Sequence, residues 1–249
     1  MGSSCCYDGT LGGLLTLLAR LPAAADLPDS IATQPPVQQG LFSNTVTVET
    51  DPELAEQYWQ KLHHRLGSAG LTPVRSAFLA DHPQKDLLIC RYLLLGMQEG
   101  RRVSNMLAHP QVSPLLKLAQ QVNREAHRYL GFVRFREVTG GFYYAALAPD
   151  HRVLLLIAPH FAARFRDQQW VIHDCRHGEG IVFDRHRQQW LLLPMETSAE
   201  PEFTPQEEQF QQLWQSYFAT LAIEERKNLK LQQSKVPLKV RPWLTEFGR

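Results

Sequence analysis

Residues 131–147 have the sequence GFVRFREVTGGFYYAAL, and the hydrophobic pattern of the chain changes here from helical to β. Two runs rich in β-branched and aromatic residues, 131–138 and 142–147, are separated by Gly140 and Gly141. Such residues favour strands, and a Gly-Gly pair between two such runs is typical of a β-hairpin. The stretch therefore predicts two antiparallel strands joined by a tight turn.

Three more strand candidates follow the hairpin. They cover residues 170–174, 181–183 and 190–193, with polar turns between them, and a helical segment at residues 158–165 precedes the first. Short strands that follow one another closely tend to pair with their neighbours. We therefore predict one antiparallel sheet of about five strands.

Before residue 131 most of the chain has apolar residues at helical spacing, and several helices have recognisable starts. The predicted elements are a helix over residues 11–20 with Thr10 as its N-cap, a strand over residues 45–49, a helix that begins at residues 50–53 and ends at Gly67 or Gly70, and helices over residues 86–97 and 113–130.

A last helix begins at residues 204–207, Thr-Pro-Gln-Glu, which form a capping box with proline in the first turn. Its apolar residues recur at i, i+3, i+4, i+7, i+8 and i+11, a spacing that places them on one face. We expect that face to dock firmly on the rest of the protein. The residues are Phe210, Leu213, Trp214, Tyr217, Phe218 and Leu221.

These elements predict an α+β fold in which helices flank one antiparallel sheet of about five strands. The chain is expected to consist of four parts. They are an N-terminal segment and helix at residues 1–21, a Pro-rich linker with little regular structure at 22–44, an α+β core at 45–200, and a C-terminal helix with a basic tail at 201–249.

The composition excludes several classes of protein. The 249 residues contain 26 Lys and Arg against 25 Asp and Glu, so any nucleic-acid contact must come from a local basic patch. No apolar run reaches the ~18 residues that cross a membrane, and the four cysteines form no C-x-x-C pair. We expect a cytoplasmic protein with no membrane contact, no metal site and no cofactor. Motifs for phosphate loops and serine hydrolases are absent.

Residues 101–150 carry seven basic and three acidic side chains, a local charge of +4. Several of these cations lie opposite the apolar stripe of the helix over residues 113–130, and two more share one face of the strand that follows. His127, Phe132, Tyr143 and Tyr144 add rings on which bases stack. The predicted nucleic-acid-binding residues are Lys117, Arg124, Arg128, Arg134 and Arg136, with Lys230 and Lys235 from the tail.

Acid–base chemistry has its own candidates. Glu125 borders the apolar stripe of its helix, His127 follows closely, and His160 is predicted to lie on a connection, where catalytic groups tend to occur. The alternatives are an ion pair for Glu125 and structural hydrogen bonds for the histidines. The predicted catalytic residues are Glu125, His127 and His160.

The segment at residues 124–128, Arg-Glu-Ala-His-Arg, with Gly131-Phe132 after it, resembles an uncharacterised bacterial family described as DNA metabolism or repair proteins. Pro149-Asp150-His151 and residues 158–161, Ala-Pro-His-Phe, also match. With residues 7–10, Tyr-Asp-Gly-Thr, near the start and Glu225-Arg226 near the end, the resemblance covers nearly the whole chain. It implies a partner, a radical-SAM protein of the DNA modification or repair kind. No catalytic residue is established for that family.

Three functions remain open at this point. The leading hypothesis is a DNA-binding accessory protein in DNA repair or modification that acts with the radical-SAM partner. The first alternative is a nucleobase or phosphodiester hydrolase that acts on DNA through a Glu/His site. The second is a structural subunit without DNA contact.

Overall fold

The computed structural model describes residues 3–21, 27–33, 44–196, 201–223 and 226–247. The chain divides into two compact units, residues 1–122 and 123–249, which meet within one helix. The predicted division into four parts stays a prediction. No helix in the described ranges is long and apolar enough to pass through a membrane.

The first unit contains a small parallel sheet. Its strands are β1 (Ser3–Cys6), β2 (Ser30–Ala32) and β3 (Asn44–Thr47), in the order β2-β1-β3. β3 is the strand predicted near residues 45–49. β1 was not predicted, and β2 places regular structure in the predicted linker at 22–44. Strands of three or four residues are too short to show a periodic pattern in the sequence.

Helix α1 (Leu11–Arg20) follows β1 and confirms the prediction. The Thr10 hydroxyl oxygen accepts a hydrogen bond from the Gly13 amide at 2.9 Å, so Thr10 is the N-cap. Asp51 caps α2 (Pro52–Phe78) in the same way, with the Leu54 amide as donor. The backbone of Gly67 leaves the helical conformation with φ 72° and ψ 173°, but the helix continues beyond this kink instead of ending there.

The remaining helices of the first half also follow the sequence pattern. α3 (Lys85–Glu99) leads into a short 3-10 helix, Gly100–Asn105, and α4 (Ser113–Phe132) comes next. The Tyr92 hydroxyl donates to the Gly70 carbonyl oxygen at 2.8 Å, which joins α3 to α2 in the core of the first unit. The unit boundary lies within α4.

The second unit is built on a five-stranded sheet in the order β4-β5-β6-β7-β8. The strands are β4 (Arg136–Val138), β5 (Phe142–Leu147), β6 (Trp170–Asp174), β7 (Glu179–Asp184) and β8 (Gln189–Pro194). The predicted hairpin is confirmed, since β4 and β5 pair antiparallel with Val138 opposite Phe142. The number of strands is also confirmed.

The prediction that this sheet is purely antiparallel is wrong, because β5 and β6 pair in parallel. Helix α5 (Leu154–Arg164) lies between them in the chain. A helical crossover carries the chain back to the end of the sheet where the first strand began, so the next strand runs in the same direction. The sheet is therefore mixed.

The strand predicted over residues 131–138 is also shorter than expected. α4 extends to Phe132, and the Val133 amide still donates to the Tyr129 carbonyl oxygen at 3.2 Å. Arg134 therefore precedes β4 and does not share a strand face with Arg136. Phe135 packs its ring against Phe161, Phe165 and Trp170, and this packing outweighs the β propensity of the segment.

The core of the second unit lies between the sheet and α5. Trp170, Ile172, Ile181 and Phe183 from the sheet are fully buried with Ile157 of α5. The end of the chain joins this core through two side chains that are 2% exposed, Val240 and Leu244. Val240 lies in the 3-10 helix Leu238–Trp243, and Leu244 directly follows it. A last 3-10 turn covers Thr245–Phe247.

Helix α6 (Pro205–Leu221) has the predicted N-cap, Thr204, but does not dock as predicted. Its six apolar residues are between 40% and 69% exposed. The side that contacts the fold is partly polar, because the Gln215 side-chain amide donates to the Thr245 carbonyl oxygen at 3.1 Å. A shorter helix, α7 (Leu229–Lys235), follows and has no buried residue.

The packing of the tail can be tested with two leucines of the same segment. We expect Leu244→Ala to lower the free energy of unfolding by about 2 to 5 kcal/mol, because it opens a cavity in the core. Leu238 is 60% exposed, so Leu238→Ala should change that free energy by less than about 0.5 kcal/mol. Denaturant unfolding of both variants measures the difference. Equal effects would contradict the packing of the tail.

Candidate functional site

A cavity of about 1120 Å³ opens in the second unit, between the end of α4, α5 and the sheet. Pockets for small ligands commonly have volumes of about 300 to 1,000 Å³, so this cavity is large enough to hold one. Its lining residues are mostly apolar and aromatic. They are His127, Arg128, Leu130, Gly131, Phe132, Val133, Arg134, Phe135, Tyr143, His160, Phe161, Arg164, Phe165, Gln168 and Trp170.

The aromatic part of the lining is a connected cluster. The ring of Phe135 lies 5.3 to 5.7 Å from the rings of Phe161, Phe165 and Trp170. Trp170 in turn stacks on Phe183, with ring centroids 5.0 Å apart and planes 10° apart. Edge-on and stacked rings at these distances attract one another, so the cluster is a firm wall for the cavity.

Trp170 carries the one polar atom of this cluster. Its side chain is 1% exposed, and its Nε1 has no hydrogen-bond partner in the part of the chain that the structure describes. An indole nitrogen can only donate. A buried donor without an acceptor is costly and uncommon, and because solvent does not reach this atom, the unpaired N–H lowers the stability of the cluster.

The cations that line the cavity differ in their partners. Arg128 and Arg164 are exposed, and neither has an ion-pair partner among the described residues. The Arg164 guanidinium lies 5.6 Å from the ring of Phe165. His127 and His160 are exposed as well, and the His160 ring meets the edge of Phe161 at 5.1 Å. Two full positive charges are therefore accessible to an anion.

Arg134 also lines the cavity, but its charge is balanced within the protein. Its Nη2 lies 2.7 Å from Glu246 Oε1, and its Nη1 donates to the Gly131 carbonyl oxygen at 2.7 Å in the last turn of α4. Burial opposes ionisation of Glu246, yet the hydrogen bonds and charge of Arg134 outweigh it and hold the pKa of Glu246 below its ordinary value. Arg134 thus fastens the end of the chain to α4.

Glu125, predicted to be catalytic, does not line the cavity. Its two carboxylate oxygens accept hydrogen bonds from the backbone amides of Asp150 and His151, both at 2.9 Å. Lys239 Nζ donates to the same carboxylate at 3.1 Å and also contacts the Asp150 carboxylate. That contact, with help from Arg176, holds the pKa of Asp150 below its ordinary value. Glu125 therefore fixes the loop before α5 and the tail.

The other predicted cations lie outside the cavity. Arg124 is exposed on α4, and Lys117 is exposed on the part of α4 that belongs to the first unit. The Arg136 guanidinium lies 4.1 Å from the ring of Phe203. Lys230 and Lys235 are exposed on α7. The structure thus brings together His127, Arg128, Arg134 and His160 of the predicted site residues.

Sequence reasoning missed Arg164 and the place of Trp170 in the cavity wall. A usable signal was present, since His160 and Arg164 are four residues apart and share one side of any helix. Reasoning also missed a buried pair in which the Asp174 carboxylate lies 2.6 Å from His177 Nδ1. Among the described residues no group of three His, Cys, Asp or Glu side chains is placed to hold a metal ion.

A family model described as a domain of unknown function, DUF4130, matches residues 83–246. The chain belongs to the DUF4130 family. Every residue that lines the cavity lies inside this range. No curated protein and no solved structure matches the chain. Because the DUF4130 family has no assigned function, the role in DNA metabolism that the sequence resemblance implies stays a prediction.

The pair of Arg134 and Glu246 generates a test of how the tail is held. The lowered pKa of Glu246 means that its contribution to stability is fully present above the ordinary pKa of a glutamate and is lost as the pH falls through the lower folded-state pKa. We expect Glu246→Gln to lower the free energy of unfolding at pH 7 by about 1 to 3 kcal/mol.

The difference between Glu246→Gln and the wild type should shrink as the pH is lowered below the ordinary pKa of a glutamate, as measured by denaturant unfolding at several pH values. Glu208→Gln is the control, because Glu208 is exposed on α6. A difference that is independent of pH would contradict the assigned ion pair.

Proposed function

We propose that this protein is a DNA-binding accessory protein in DNA repair or modification. The observation that carries the proposal is the cavity of the second unit, in which an aromatic wall lies beside two accessible arginines, Arg128 and Arg164. Aromatic rings bind bases by stacking, and arginines neutralise phosphates. The bases and the phosphates of a nucleic-acid strand therefore each have a suitable binding group in this one cavity.

The charge of the cavity supports a polyanion as the ligand. None of the described residues that line it is an aspartate or glutamate. The negative charge of Glu246 balances Arg134, so Arg128 and Arg164 remain to act on a phosphate. Since the formal net charge of the chain is only +1, affinity depends on this local concentration of cations.

The same lining favours binding over hydrolysis. His127 and His160 both line the cavity, which is the observation in favour of the hydrolase alternative. An imidazole that acts as a base is usually oriented by a carboxylate or another acceptor, and the cavity lining of the described chain provides no carboxylate. The oxygens of Glu125 are occupied by backbone amides and Lys239.

The radical-SAM partner is part of the proposal and is supported by the resemblance of the sequence alone. In this arrangement the present chain holds the DNA, and the partner supplies the reaction. The two roles are separable in experiment, because DNA binding by the pure chain requires only the charge and the stacking surface described above.

The proposal predicts which arginines affect DNA affinity. We expect the double variant Arg128→Gln/Arg164→Gln to bind short DNA at least tenfold more weakly at low salt. The slope of log affinity against log salt concentration should also become shallower by about one or two, because one or two phosphate contacts are lost. Electrophoretic retardation at several salt concentrations measures both quantities.

Arg124→Gln is the matched control, because Arg124 lies on the same helix, is exposed, and does not line the cavity. The affinity of this variant for DNA should stay within about twofold of the wild type, because a charge outside the contact surface contributes little to affinity. If the wild type shows no binding at low salt, with or without the partner, the structural-subunit alternative holds. If the pure protein alters DNA and His127→Ala or His160→Ala abolishes this, the hydrolase alternative holds.

A further inference from the structure

The shape of the cavity indicates how much of a DNA strand it can accept. Its volume of about 1120 Å³ suits a ligand of the size of one or two nucleotides rather than a duplex, which needs an open groove or ridge. Phe132 and Tyr143 are half-buried and line the cavity from α4 and β5. A flat base that leaves the stack of a duplex would meet ring surface there.

The apolar lining is the second observation. One wall of the cavity is the cluster of Phe135, Phe161 and Trp170, and none of the described lining residues is an aspartate or glutamate. A flat base can enter such surroundings, whereas a sugar or phosphate group is too strongly hydrated to leave water for them. The lining thus favours a base as the part of the ligand that enters.

The third observation is the position of the two accessible arginines. Arg128 projects from α4 and Arg164 from α5, the two helices that border the cavity. A nucleotide whose base enters the cavity keeps its flanking phosphates outside, where these side chains are exposed. Arginine is well suited to this contact because its planar group binds phosphate oxygens in pairs.

We infer that the cavity takes one unpaired nucleobase of a DNA strand, stacked beside Phe132 and Tyr143, with Arg128 and Arg164 holding the flanking phosphates. This inference rests on the proposed DNA-binding function. It adds that the ligand is a base outside the double helix, so the protein distinguishes a disrupted site from intact duplex.

The experiment compares three labelled DNA duplexes that are identical except at one position. One has a single-thymine bulge, one has an abasic bulge at the same place, and one is fully paired. Fluorescence anisotropy with the full chain gives the three dissociation constants. We expect the thymine bulge to bind at least tenfold more tightly than the other two, because stacking of one base on aromatic side chains changes affinity by roughly 5-fold to more than 100-fold.

Two variants assign the preference to the cavity. Phe132→Leu and Tyr143→Leu each remove a ring from the wall while keeping an apolar side chain. Each should reduce the preference for the thymine bulge to within about threefold and leave binding of the paired duplex unchanged. Trp190→Phe is the control, since Trp190 is half-buried on β8 and does not line the cavity. Thermal unfolding confirms that each variant is folded, and either variant suffices if the other does not fold.

The outcomes separate the inference from the proposed function. Equal affinity for the thymine and abasic bulges, with measurable binding of both, would overturn the base-binding inference and leave the DNA-binding function in place. No binding to any of the three duplexes would overturn both. Tighter binding of the same bulge in an RNA duplex would overturn DNA as the ligand.

Discussion

One buried carboxylate holds the second unit together. Glu125 accepts hydrogen bonds from two successive backbone amides, those of Asp150 and His151, and from Lys239 near the end of the chain. A buried carboxylate without such donors would be strongly unfavourable, so the position of Glu125 on α4 dictates where the loop after β5 and the tail must lie. Three segments far apart in sequence are thereby fixed at one point.

The cavity follows from this constraint. The loop that Glu125 holds leads directly into α5, so the start of α5 is fixed relative to α4. His160 and Arg164 of α5 then line the same cavity as His127 and Arg128 of α4. Arg134 and Glu246 fasten the tail at a second point. The exposed residues of the cavity are therefore positioned by Glu125 and Arg134, whose charges are balanced within the protein.

The sequence predicted those elements whose signals lie within a few residues of them. It failed where the structure depends on residues far away along the chain. Thr10 caps α1 through an amide three residues away, and the hairpin turn lies between its own strands, so both could be predicted. The parallel pairing of β5 and β6 depends on how the chain passes through α5, which no local pattern records. The apolar stripe of α6 showed that a face is hydrophobic, but periodicity does not show whether another element covers it.

The same rule explains the site. Glu125 and Arg134 have residue types typical of catalysis and phosphate binding, but their partners lie about 25 and 112 residues away along the chain. Those distant contacts give both side chains a structural role, and their predicted roles in catalysis and DNA binding stay predictions. Arg128 and Arg164 keep their charge accessible because no acidic residue of the described chain pairs with them.

The tail illustrates why counting cations along a sequence overestimates a binding surface. Its basic run contains Lys239, which is bonded to Glu125, and Arg241, whose guanidinium lies 4.8 Å from the ring of Phe247 and donates to Gln232. The carboxylates paired with Lys239 remove its charge from the set that could neutralise a phosphate, and the neutral partners of Arg241 hold its guanidinium against the protein. A few arginines beside an aromatic cavity without carboxylates create a stronger local attraction for a nucleotide than a longer run whose charges serve the fold. Under the proposed DNA-binding function, we therefore expect the cavity to contribute more than the tail to the affinity for a nucleic-acid strand.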